Sequence, residues 1–107
     1  EENVEFGGGV YHSNRTAVDD ADYLVTGDEY RISYIDLSAT RTVTLPDYLL
    51  GSGFEVRIKD EVGLTSTYPI VIDPEGGTLI DGAPTYSINI NYGSIIVYAT
   101  ETGWRIE

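Results

Sequence analysis

Apolar and polar residues alternate along most of the chain, and the alternation has the two-residue period of a half-buried β-strand. Tyr30, Ile32 and Tyr34 are separated by Arg31 and Ser33. Val43 and Leu45 alternate with Thr42 and Thr44; Phe54, Val56 and Ile58 alternate with Glu55, Arg57 and Lys59. Ile70 and Ile72 follow Tyr68-Pro69, and Ile88 and Ile90 alternate with Ser87, Asn89 and Asn91. Each set predicts a strand with bulky apolar groups on one face and polar groups on the other. A helix of the same residues would scatter its apolar side chains around the cylinder. The abundance of Ile, Val, Thr and Tyr favours strands as well.

The breaks between these runs carry turn residues. Thr26-Gly27-Asp28 separates a first strand from the one at Tyr30, and Asp36-Leu37-Ser38-Ala39-Thr40 separates the second and third. Pro46-Asp47 opens a longer connection through Gly51-Ser52-Gly53, with a short turn at Leu49-Leu50. Asp60-Glu61-Val62-Gly63, Pro74-Glu75-Gly76-Gly77, Asp81-Gly82-Ala83-Pro84, Asn91-Tyr92-Gly93 and Glu101-Thr102-Gly103 complete the series. Glycine supplies positive φ and proline presets its own, so these are turns with a mechanism. A strand and turn about every eight to twelve residues predicts an all-β sandwich or barrel.

Two strands stand apart. Ser94-Ile95-Ile96-Val97-Tyr98 is apolar on both faces, which predicts a strand covered on both sides, by the core on one and by something else on the other, for which a partner subunit is one candidate. In Trp104-Arg105-Ile106 the indole is expected to plug the core with its N–H bonded; the functional alternative is a platform on which a sugar ring stacks.

Residues 1–20 read as a linker or leading arm and residues 21–107 as one β domain. Gly7-Gly8-Gly9 interrupts regular structure, while Phe6, Val10 and Tyr11 offer anchors to a neighbouring surface. Asn14-Arg15-Thr16 matches the N-glycosylation pattern, a short match that arises readily by chance. The chain contains no methionine, so it is expected to be a processed product or a piece of something longer.

Charge narrows the function. With 18 acidic and 6 basic residues among 107, the net charge is -12. That argues against nucleic acid and anionic membrane surfaces as partners, since both need cationic patches. The longest apolar stretch, Ile95 to Ala99, is far short of the roughly 20 residues of a spanning helix, so membrane insertion is not expected. Without cysteine there is no disulfide, thiolate nucleophile or cysteine-bound zinc.

No residue carries an assignable catalytic role. His12, the only histidine, lies in the glycine-rich arm with no acid placed to orient it. Carboxylate pairs are abundant, but they fall at strand ends and turns, not on facing elements of a cleft. No phosphate loop, dinucleotide fingerprint or zinc spacing occurs, and no cofactor is called for. The densest acids, Asp19, Asp20, Asp22, Asp28 and Glu29, have the hard oxygens that calcium takes, although not in EF-hand order. The simpler reading is a solvated acidic edge that discourages unwanted strand pairing.

From Tyr23 to Glu107 the chain resembles a domain of bacteriophage tail fibres, tailspikes and related virion proteins. Tyr30-Arg31-Ile32-Ser33 with Asp36-Leu37-Ser38 is similar to its opening strand and turn, and Arg41-Thr42-Val43-Thr44-Leu45-Pro46 to its next strand. Gly53-Phe54-Glu55-Val56-Arg57-Ile58-Lys59-Asp60 resembles its Gly-x-x-x-x-Ile-Lys-Asp strand. Pro69-Ile70-Val71-Ile72 with Gly76-Gly77 and Ile80-Asp81-Gly82 is similar to its central hairpin. Tyr92-Gly93-Ser94 and Gly103-Trp104-Arg105-Ile106 resemble its last strands.

The resemblance implies a compact antiparallel β-sandwich, jelly-roll-like, assembled as a homotrimer. It implies a non-enzymatic virion role, extracellular on the phage tail or surface fibre: trimerisation, and contact with a host polysaccharide or protein receptor. The loops that would present such contacts are Leu49–Gly53, Asp60–Thr67, Pro74–Gly77 and Asp81–Pro84. Two alternatives stay open. One is a monomeric carbohydrate-binding module of a secreted enzyme or adhesin, stacking sugars on Tyr86, Tyr92 or Trp104; the other is a capsid decoration or head-fibre domain.

Overall fold

The structure is a computed structural model that describes residues 15–107. His12, the Gly7–Gly9 run, the anchors Phe6, Val10 and Tyr11, and Asn14 lie outside the described residues. In chain order the strands are β1 (Thr16–Asp19), β2 (Tyr23–Leu24), β3 (Arg31–Asp36), β4 (Arg41–Leu45), β5 (Glu55–Asp60), β6 (Ile70–Pro74), β7 (Tyr86–Ile88), β8 (Ser94–Ala99) and β9 (Trp104–Ile106). One turn of 3-10 helix, Asp47–Leu49, sits where the short turn at Leu49-Leu50 was expected. Among the described residues no helix is long and apolar enough to cross a membrane.

The strands form two sheets, ordered β1-β3-β5-β8-β9 and β2-β4-β6-β7. The chain alternates between them from β1 to β6, adding one strand to each sheet in turn. Every return to a sheet therefore runs in the same direction as the strand laid down before. β1 pairs parallel with β3 and β3 with β5; β2 pairs parallel with β4 and β4 with β6. Only the last strands reverse: β7 is antiparallel to β6, β8 to β5, and β9 to β8. The expectation of an antiparallel architecture is thus corrected to two mixed sheets. Period-two alternation is common to both kinds of pairing, so it could not tell them apart.

Within the stretch expected to be a linker or leading arm, residues 16–19 form a strand. Thr16–Asp19 is an edge strand in register with β3, Thr16 opposite Ile32 and Val18 opposite Tyr34, and Val18 is buried.

Both inner faces pack into one hydrophobic cluster. The five-stranded sheet contributes Ile32, Tyr34, Val56, Ile58, Val97 and Trp104; the four-stranded sheet contributes Val43, Leu45, Ile70 and Ile72. These side chains are essentially inaccessible to solvent, and burying each apolar side chain contributes about 1.5–3 kcal/mol. Parallel register stacks like on like, with Ile32 beside Ile58 and Val43 beside Ile72.

Candidate functional site

Trp104 is fully buried and meets Phe54 edge-on, with ring centroids 6.4 Å apart. That excludes it as a sugar platform and supports the core reading. The expected bond to its N–H is corrected: Nε1 has no acceptor among the described residues. Tyr86 and Tyr92 do reach solvent. On β8, Ile95, Val97 and Ala99 are buried, whereas Ile96 and Tyr98 on the opposite face are half-buried.

The acids between Asp19 and Glu29 do not converge. Asp20 accepts from Ser38 N (2.8 Å) and Oγ (2.5 Å) and pairs with Arg41 at 2.9 Å. The Ser38 bonds and then Arg41 hold its carboxyl below the usual range. Asp22 accepts from Thr42 N at 2.9 Å. Glu29 turns inward instead, taking Thr26 N, Gly27 N, Thr26 Oγ1 and, at 2.5 Å, the Tyr23 hydroxyl. Burial alone would raise the Glu29 pKa; the bonds from Tyr23 and Thr26 outweigh it and lower the value. Burial and this carboxylate push the Tyr23 hydroxyl up to about 12. Among the described residues no three His, Cys, Asp or Glu side chains are arranged to hold a metal ion.

Asp60, expected as part of a polar turn, is the most connected acid among the described residues. It is fully buried at the end of β5. Oδ1 accepts from Val62 N and Gly63 N; Oδ2 accepts from Leu64 N, Thr65 N, Thr65 Oγ1 and Tyr92 N, all within 2.8–3.1 Å. Desolvation raises its pKa, but the combined bonds, led by Gly63 N, bring it below the ordinary value. Gly63 completes the device. Its φ is +84°, and a Cβ there would lie 2.4 Å from the Tyr92 ring. The only signal for this in the sequence was Asp followed by Gly three residues later.

The four loops expected to present a binding surface do not share one end. Asp60–Thr67 follows β5 and leads into β6, whereas Leu49–Gly53 precedes β5 and Pro74–Gly77 follows β6. The last two are at the same end, where a Cβ on Gly76 would touch the Asp47 carboxylate. Beside them lies an open groove of about 700 Å³ lined by Gly77, Thr78, Leu79, Asp81, Gly82, Thr102 and Arg105. Asp81, at φ +49°, is pinned by accepting Ile106 N at 3.2 Å. The Arg105 guanidinium donates to its own Trp104 carbonyl at 2.9 Å. Hydroxyls, one carboxylate, one cation and the exposed Leu79 suit a polar ligand with an apolar face. No nucleophile and base are paired in the groove.

No protein-family model matches the chain, and no curated protein matches it.

Proposed function

We propose that this is a non-enzymatic virion domain of a phage tail fibre or tailspike, displayed on the particle exterior. In this reading the two sheets pack as a sandwich, three copies assemble around a common axis, and the trimer contacts a host-surface receptor. One observation carries it. Ile90 is 72% exposed and Tyr92 60% exposed, on the turn between β7 and β8. That turn is fixed: Tyr92 N donates to buried Asp60, and Lys59 Nζ donates to the Tyr92 carbonyl. Large apolar groups held out in water by a rigid turn favour contact with another surface. Tyr86, also exposed, adds to the same side of the molecule through a shallow cleft shared with Ile90.

The ordered motif set from Tyr30 to Ile106 supports the fibre assignment in particular. Three weak contacts on one body also raise effective affinity without any new interaction. Exposed Tyr86 and Tyr92 favour the second reading, a monomeric carbohydrate-binding module. Light scattering after size exclusion separates the two. A mass of three chains is expected; a single-chain mass overturns the trimer and leaves the monomeric module.

A further inference from the structure

The apolar alternation of β7 runs on past the core. Tyr86, Ile88 and Ile90 share one parity, the parity that sends Ile88 into the sandwich. Only Ile88 is covered, at 4% exposure; Tyr86 keeps 39% and Ile90 72%. A stripe patterned for burial is therefore left largely open by a single chain. The cleft along it, bordered by Tyr86, Ile88, Ile90 and Ile95, holds about 80 Å³. That is well below the roughly 300–1,000 Å³ of a small-molecule pocket, and it suits side chains of another protein surface.

Charge is missing from the same stretch. No residue from 82 to 100 is charged, although 22% of the chain is. Residues 84–87, 89–92 and 94 within it are exposed, so burial does not explain the neutrality. The sheet edges repeat the contrast. β1 contains Asp19, β9 contains Arg105, and β2 directly follows Asp22. β7 is the fourth edge, and the charged residue nearest to it in sequence is Asp81. Free edges are ordinarily guarded by charge, and this one is not. Lys59, opposite Ser94, and Asp73, next to the Ile72 that faces Tyr86, stand at its border with opposite signs. The turn after β7 is also held ready. The Ile90 carbonyl accepts from Thr65 Oγ1 at 2.6 Å and Gly93 N at 2.8 Å, and Asn91 Oδ1 accepts from Ser66 N at 2.9 Å. A fixed turn loses little ordering entropy when it is covered.

We propose that the β7 edge and the turn after it pack against a second copy of this chain, with Tyr86 and Ile90 as the anchors buried in the contact. The occupant follows from the charge. On a body of net charge -12 the uncharged edge is where another acidic body approaches without like charge facing like charge. A basic partner would gain more on the acids elsewhere. A copy of this chain carries the same -12 and the same uncharged edge, so it fits. A few large side chains carry most of the energy of such a contact. This inference rests on the copy-to-copy half of the proposed function, and neither on receptor binding nor on the number of copies being three.

The test is sedimentation equilibrium of the full chain over a range of concentrations, for the native protein, Ile90→Asp and Leu24→Asp. Leu24 is exposed on β2, at the opposite edge of the same sheet, so its variant adds the same charge elsewhere. Association of the native chain is expected, strengthened by salt as repulsion between acidic bodies is screened. Ile90→Asp should weaken it about thirtyfold or more, the loss of an interface anchor. Tyr86→Ser, which adds no charge, should weaken it as well, and Leu24→Asp should leave it unchanged. Tyr86, Ile90 and Leu24 all reach solvent, so circular dichroism of each variant should match the native chain. A three-chain mass kept in Ile90→Asp overturns this inference and leaves the trimer standing. A two-chain mass lost in Ile90→Asp supports the inference and overturns the trimer. A single-chain mass of the native protein at every concentration overturns both. Equal loss in Leu24→Asp overturns the inference too, since added charge alone then accounts for the effect.

Discussion

The acids from Asp19 to Glu29 and the single acid Asp60 both sit where strands run into turns, yet they serve the molecule differently. Asp20 and Asp22 lie at the surface and tie one loop to the next, Asp20 to Ser38 and Arg41, Asp22 to Thr42. Asp60 is buried and gathers five backbone N–H groups and one hydroxyl around its two oxygens. Density along the sequence made the first group a candidate for calcium, with a solvated acidic edge the simpler reading; connectivity in space places the structural weight on the second. A buried carboxylate without a cation is tolerated only when donors surround it, and here backbone donors do so. Glu29 is the intermediate case, chemically like Asp60 but closing a smaller turn.

Breaking Asp60 should give the largest effect. In Asp60→Asn one oxygen becomes an amide nitrogen, and either choice points it at two or more N–H donors. A loss of about 3–5 kcal/mol is expected, read from denaturant unfolding. That is a large share of a small domain's total stability. Gly63→Ala comes next. Both its positive φ and the Tyr92 ring oppose a side chain, so a loss of about 1–3 kcal/mol is expected, with Tyr92 fluorescence reporting the displaced ring. Glu29→Gln, which keeps the shape but puts a donor against donors, should cost about 1–2 kcal/mol in the same unfolding assay.

Acid titration sharpens the contrast. Both Asp60 and Glu29 have pKa values lowered by folding. Their stabilisation is therefore present above the ordinary carboxylate range and disappears as pH falls through their folded values. The midpoint should drop on acidification in the native chain, and the slope should be shallower in Asp60→Asn. The smallest effect is expected from calcium. The Asp19–Glu29 acids point to separate partners, so calcium and chelator should give the same thermal midpoint; a rise of several degrees with calcium would restore the ion site.

Much of the local structure was legible. The runs at Ile32–Tyr34, Val43–Leu45, Val56–Ile58 and Ile70–Ile72 are strands because alternation is a property of the residues themselves, and Ile95–Val97 is one because an apolar β-branched run favours extension. Trp104 in the core was legible because a large ring on a closing Trp-x-Ile strand is most simply buried. Thr16–Asp19 was missed because a four-residue edge strand with one buried side chain leaves little periodic signal. Asp60 was missed because a carboxylate surrounded by backbone donors looks, in sequence, like any acid in a turn. The facing arginines of β3 and β5 were hidden by distance along the chain. Parity sends Arg31 and Arg57 away from the core, but only strand order sets them side by side.

What the sequence determined by itself is where most of the chain extends and turns and which side chains of the central strands face inward, since these follow from residue shape and a two-residue period; Tyr30 and Ile90, read as apolar-face positions, are exposed. What the tertiary structure alone decided is which strand lies beside which. The chain lays strands alternately into two sheets, so each parallel partner arrives only after a strand in the other sheet. No local preference encodes that choice; it is fixed by burying both inner faces on one core, and the carboxylate hub follows from it.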